Sequence, residues 1–410
     1  MESTSSSEII LTKIKEFYRI DKSDSDEKIK FAFNELLRQW SDVVIAGNDA
    51  SEDELFHLNA SRGFFSQRFG FAIYKDCFNS DHTFTRDTVR LCLQFLTDHI
   101  NQNSVQNRTY VVSNLRFVMD ILASIISNLW YSDIDLFNED IFVIMRKYVD
   151  QDLINDDLTD GILSLIWSVS DNTSLVPILL KADYPQSLYQ WIKDSPRKFR
   201  EDKQISLINI IQNMSRHDDG IDELNRLQIL NMLESMKFYE DLSFSLSIIR
   251  VLLTDRNQIK LQSTEFINTL VENTVQAGED SAYRHEGAHV GELLTVLAKL
   301  FYNDEILHMI LKMKPMIIDL FASLLEKFYP NLNSDHGPLE NFTCVLLLNI
   351  LSCISYQREY SQKIFDNKQL MDIIQKAMNN ETNFIDTFMP RTMKSIEQSA
   401  KEIFKNFNEK

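Results

Sequence analysis

Apolar residues recur at intervals of three and four along almost the whole chain, the spacing of amphipathic helices and not the alternation of half-buried strands. One such pattern returns at long period in six segments. These are ILASIISNLW from Ile121, GILSLIWSVS from Gly161, SLINIIQNMS from Ser206, FSLSIIRVLLT from Phe244, ELLTVLAKLF from Glu292 and VLLLNILSCIS from Val345. With Leu129, Val169, Met214, Leu253, Leu300 and Ile354 as position zero, the spacings are 40, 45, 39, 47 and 54 residues. Position minus four is then Ile125, Leu165, Ile210, Ile249, Val296 and Ile350, and position minus seven is Leu122, Ile162, Leu207, Leu246, Leu293 and Leu347. All eighteen are aliphatic, and on a 3.6-residue helix these offsets fall within about 60° of one another. Each segment therefore predicts one helix with a buried stripe.

Further amphipathic stretches, such as Val176 to Ile192 and Met309 to Phe328, lie between these segments. Polar breaks fall at Asp171 to Ser174, Arg216 to Gly220, Thr254 to Asn257 and Asn331 to Pro338, giving two or three helices per repeat. Before the first repeat the pattern is less regular. Residues 1–28 read as a loose polar segment, 29–114 as an atypical helical cap and 115–410 as the repeat array. The aromatic-rich stretch Gly63 to Phe78 suits core packing better than a ligand box.

Composition narrows the class further. Nine Gly and seven Pro in 410 residues cannot furnish the turns of a sandwich, barrel or doubly wound sheet, so the fold class is all-α. The net charge of -18 disfavours nucleic acid, because no segregated basic face offsets it. The densest basic run, Lys193 to Lys203, is interleaved with Asp194, Glu201 and Asp202 and reads as a solvated loop, while the acids from Asp133 to Asp160 read as caps and exposed helix faces. The four cysteines form no CxxC, and the first residues lack a basic-then-apolar leader, from which a cytoplasmic location is expected. The most apolar run, Thr343 to Ile354, is shorter than the roughly 20 residues a bilayer span requires, so no membrane partner is expected.

Four of the six stripe helices carry Ser or Thr at plus one: Ser170, Ser215, Thr254 and Ser355. With the runs LLLNILSCISYQREYSQKIFDN (Leu346 to Asn367) and IWSVSDNTSLVPILLKADYP (Ile166 to Pro185), the region from Leu115 to Phe407 resembles the armadillo/HEAT superfamily, armadillo more closely. The resemblance implies a right-handed α-solenoid superhelix of armadillo-like repeats. In such arrays the face opposite the stripe, at minus five, minus two and plus two, lines a concave groove. The strongest partner-binding candidates on that face are Tyr131, Trp167, Asp171, Asn209, Gln212, Arg216, Tyr302, Asn349 and Tyr356. Their amides, aromatic rings and charges suit the backbone and side chains of a peptide or domain, and the acidic chain favours a neutral or basic one. In nuclear import receptors of this family Trp at minus two and Asn at plus two form a cargo ladder, of which only Trp167 with Asp171 is similar, with Asp in place of Asn.

The expected function is a non-enzymatic interaction scaffold without cofactor or metal. An alternative is a regulatory array of a larger TIR-type signalling protein. No TIR-like βα pattern occurs in the sequence, so that reading requires a longer parent chain. A third rests on His285-Glu286-Gly287-Ala288-His289, which matches the HExxH of zinc hydrolases, where two His on one helix face bind the metal and Glu activates water. Gly287, with Gly278 and Gly291 nearby, instead predicts a loop leading into the helix at Glu292. The segment His217-Asp218-Asp219-Gly220 reads as a polar helix end. No phosphate-binding, dinucleotide-binding or hydrolase-elbow motif is present in the sequence.

Overall fold

The computed structural model describes residues 28, 31, 35, 82–100, 109–126, 131–150, 156–198, 201–236, 242–260, 262–331, 338–379 and 393–409. The aromatic stretch from Gly63 to Phe78, most of the predicted N-terminal cap, and Ser127 and Leu129 lie outside these residues. Packing divides the chain into two compact units, 1–210 and 211–410. Eighteen α-helices and a single two-stranded hairpin are found among the described residues, so the all-α expectation holds with one small exception.

In the first unit, α1 (His82–Ile100) packs on α2 (Thr109–Ile126), which packs on α4 (Asp156–Asp171). Helix α3 (Glu139–Asp150) contacts α1, α5 (Val176–Lys181) and α6 (Tyr184–Lys198). The stretch from Val176 to Ile192 is not one helix. It breaks at Asp183, whose φ of 63° lies in the left-handed region, and turns into α6. Tyr184 and Trp191 bury their rings edge to face at 6.0 Å, and both polar ends are satisfied. The Tyr184 hydroxyl donates to the Phe142 carbonyl at 3.1 Å and the Trp191 indole N–H to Asp150 Oδ1 at 2.8 Å. Burial holds the Tyr184 phenol well above its usual range. The basic run from Lys193 to Lys203 is mostly helical and not a loop, spanning the end of α6 and the start of α7 (Glu201–Met214), and Lys203 is buried in an ion pair with Asp160 at 3.3 Å.

The second unit holds the end of α7, then α8 (Asp218–Arg226), α9 (Ile229–Ser235), α10 (Ser243–Leu253), α11 (Thr264–Glu279), the hairpin β1 (Arg284–His285) and β2 (Ala288–His289), α12 (Val290–Leu300), α13 (Asp304–Met313), α14 (Ile317–Phe328), α15 (Pro338–Ser355), α16 (Arg358–Asp366), α17 (Lys368–Ala377) and α18 (Ile396–Asn408). The stripe helices stack in order, α10 on α12 and α12 on α15, and α18 closes the row against α15. Of the eighteen predicted stripe positions, Leu129 is outside the described residues and Leu246, in the first turn of α10, is half-buried. All the others are buried.

The Ser and Thr at plus one have a common task. Ser170 donates to the Trp167 carbonyl at 2.7 Å, Ser215 to Gln212 at 2.7 Å, Thr254 to Arg250 at 2.6 Å and Ser355 to Ser352 at 2.7 Å. Each hydroxyl turns back onto a carbonyl three or four residues earlier, in the last turn of its own helix. Helix starts are as local. Asn303 Oδ1 accepts from the backbone N–H of Glu305 and Ile306, and Ser395 forms a reciprocal capping box with Gln398.

Candidate partner-binding face

The predicted groove residues do not share one environment. Trp167 is 41% exposed and Tyr356 57% exposed, large aromatic surfaces at minus two of α4 and just past the end of α15. Asp171, Asn209, Gln212 and Tyr302 are half-buried. Tyr131 begins a 3-10 turn, Tyr131–Leu136, and its side chain lies outside the described structure. Arg216 and Asn349 correct the sequence reading, since they are 5% and 4% exposed and held inside the second unit.

Arg216 reaches Glu292 at 3.4 Å and donates to Asn213 Oδ1 at 2.7 Å. Asn349 forms a reciprocal pair with the backbone of Lys394: its Nδ2 donates to the Lys394 carbonyl at 2.8 Å, and its Oδ1 accepts from the Lys394 N–H at 2.9 Å. Ser352 donates to Glu402 at 2.8 Å, and Asn406 donates to Ser355 Oγ at 2.8 Å. The face of α15 expected to meet a partner therefore meets α18. Along α12 the same positions, Thr295 and Ala298, are buried too, as are Ile248 and Val251 on α10.

The HExxH segment forms a hairpin, not a helix. Arg284 pairs with His289 and His285 with Ala288, and the two residues between the strands, Glu286 and Gly287, have φ of 49° and 86°, as a tight two-residue hairpin turn requires. Successive strand side chains face opposite sides, so His289 shares a face with Arg284 and His285 shares the other with Ala288. The two imidazoles cannot meet at one metal ion. His289 is instead the N-cap of α12: its Nδ1 accepts from the Gly291 N–H at 3.0 Å, and Glu292 accepts from the His289 N–H at 2.9 Å. His217 caps α8 in the same manner, its Nδ1 accepting from the Asp219 N–H at 3.2 Å, so this polar segment starts a helix and does not end one. Among the described residues no group of three or more His, Cys, Asp or Glu is placed to hold a metal. A His289→Ala variant is expected to lose about 1 kcal/mol of stability, the worth of a lost cap, and to bind zinc no differently from the parent. Zinc stoichiometry that fell with this substitution would restore the metal reading.

Sequence reasoning missed a polar cleft of about 540 Å³ in the second unit, lined by Arg256, Asn257, Ile259, Tyr302, Asn303 and Lys394. It sits beside the C-terminal ends of α10 and α12. The Arg256 guanidinium lies 5.4 Å from the centre of the Tyr302 ring, and burial raises the Tyr302 phenol above its usual range. Burial works against the Lys394 ammonium, but Glu402 at 2.5 Å outweighs it and raises the lysine overall. Nearby, Lys299 donates to the Leu252 carbonyl, and burial pushes it down to about 8 although Asp255 and Asp218 favour its charged form. Tyr302 was legible from its place at plus two, whereas Lys394 lies 40 residues beyond the last stripe position and has no periodic signal.

No protein-family model and no curated protein matches the chain. Similar solved structures exist. One, from work on the interaction between cadherin and beta-catenin, is 13% identical over 98% of this chain and 86% of its own, with a TM-score of 0.42. An engineered protein is 11% identical over 99% of both chains, with a TM-score of 0.39. A designed armadillo repeat protein in complex with a (KR)4 peptide is 12% identical over 76% of this chain and 98% of its own, at 0.26. No single helix among the described residues is long and apolar enough to cross a membrane.

Proposed function

We propose that the chain is a non-enzymatic scaffold that binds a peptide or a protein domain at the exposed Trp167 side of α4, in the cytoplasm. The observation that carries this reading is Trp167, which leaves 41% of the largest side chain exposed on a helix whose stripe is fully buried. Trp gains more from an apolar contact than any other side chain and is enriched among binding hot spots. Tyr356 offers a similar surface in the second unit. The net charge of -18 favours partners that are neutral or basic overall. The free thiols Cys92, Cys344 and Cys353 accord with a reducing compartment.

The test separates binding from folding. Peptides selected by display against the immobilised protein are expected to lose about 1 to 3 kcal/mol of affinity to a Trp167→Ala variant whose melting temperature is nearly that of the parent. A large loss of stability in that variant would assign Trp167 to packing. Selection of no peptide at all, or of peptides indifferent to the substitution, would move the partner to another surface.

A further inference from the structure

We propose that the cleft between Arg256 and Lys394 takes one carboxylate side chain of the protein partner and so sets that partner's register on the second unit. The proposal rests on the scaffold reading and gives it a chemical preference. Donors outnumber acceptors on the cleft wall, because Arg256, Asn257, Asn303 and Lys394 line it and no carboxylate does, the acids nearby being turned to other partners. Asp255 accepts from the Asn257 backbone N–H at 3.4 Å, Asp304 from the Gln357 amide at 2.9 Å, and Glu402 from both Ser352 and Lys394. Asn303 is used at both ends, since its Oδ1 caps α13 and its Nδ2 donates to the Ile259 carbonyl at 2.9 Å.

Arg256 is different. It is exposed, and among the described residues it forms no ion pair, while the Tyr302 ring supports one face of its guanidinium. The Tyr302 hydroxyl engages part of the Arg256 guanidinium as well, and the remaining N–H groups are left to take a carboxylate. The exposed Asn257 amide and the N–H groups of Lys394 not directed at Glu402 extend the donor set. Ile259 and the Tyr302 ring add apolar wall, suited to the methylene stem of a glutamate.

Charge on the whole protein narrows the ligand further. A net -18 opposes a polyacidic chain or a dianionic phosphate at long range more than it opposes a single carboxylate. The complementary partner is thus neutral or basic overall with an acidic residue at one position. Short-range pairing at the cleft then supplies the register that a diffuse attraction cannot.

The experiment uses the full chain and three fluorescent nonapeptides of Lys, Gln and Ala that differ only at the central residue, which is Glu, Gln or phosphoserine. The Glu peptide is expected to bind about tenfold more tightly than the Gln peptide, and an Arg256→Gln variant should erase that ratio while melting as the parent does. Equal binding of the Glu and Gln peptides overturns the cleft assignment and leaves the scaffold reading, which is judged by Trp167, standing. A Glu preference that survives Arg256→Gln overturns it as well, and so does an absence of binding by all three peptides. If the phosphoserine peptide binds more tightly than the Glu peptide, the site takes phosphate and the carboxylate assignment fails.

Discussion

A Leu347→Asp variant is expected to lose about 4 kcal/mol or more of unfolding free energy and to shift the urea midpoint far below that of the parent. Leu347 is fully buried at minus seven of α15, a helix packed against α12, α14, α16 and α18 at once. A carboxylate placed at this fully buried aliphatic position must either stay charged inside the stack or be protonated, and either is costly. Leu347→Ala provides the scale, since removing the isobutyl group alone costs about 2 to 5 kcal/mol depending on how far the cavity collapses. Ile210→Asp tests the same register at minus four of α7, where the side chain is also fully buried. If either aspartate variant unfolded with the parent's midpoint, the stripe would not face the stack.

Gly220→Ala is expected to be the most damaging of the small substitutions. A Cβ at Gly220 would stand 2.1 Å from the Met214 carbonyl oxygen, where the first turn of α8 crosses the end of α7. Backbone meets backbone there, and neither can swing aside as a side chain would. The cost is about 3 kcal/mol, at the upper end of what overpacking brings. Gly278→Ala makes the comparison, because its Cβ would meet the Leu320 side chain, 2.9 Å away at Cδ1, which a rotamer change can relieve. Thermal melts should rank the two variants in that order. A Gly220→Ala protein that melts with the parent would show that α8 does not approach α7 so closely.

The stripe was legible in the sequence because burial at a fixed helical angle repeats: Ile125, Leu165, Ile249, Val296 and Ile350 all answer the same demand. The helix ends were legible for a related reason, since the hydroxyls of Ser170, Ser215, Thr254 and Ser355 act within their own last turn. The opposite face is a different matter. What Asn349 and Ser352 touch depends on Lys394 and Glu402, from a segment outside the repeat period, and what Arg216 touches depends on Glu292, 76 residues away. No local pattern encodes such a neighbour. The HExxH segment misleads on helical grounds because its letters suit one. Glu286 and Gly287 at positive φ make it a hairpin, and only the glycine hinted at that. Pro315 falls where the amphipathic stretch from Met309 to Phe328 divides into α13 and α14.

Helix α12 is buried on every side from Val290 to Leu300 except at Glu292, which is 12% exposed and held by Arg216 and Arg284. Inserting one residue near its start would turn the rest of the helix by about 100° and bring Lys299 and Thr295 into positions shaped for Leu300 and Val296. Such a helix cannot be copied or exchanged as a ready-made block. Over generations, this unit can change length in its turns far more readily than it can gain or shed a repeat.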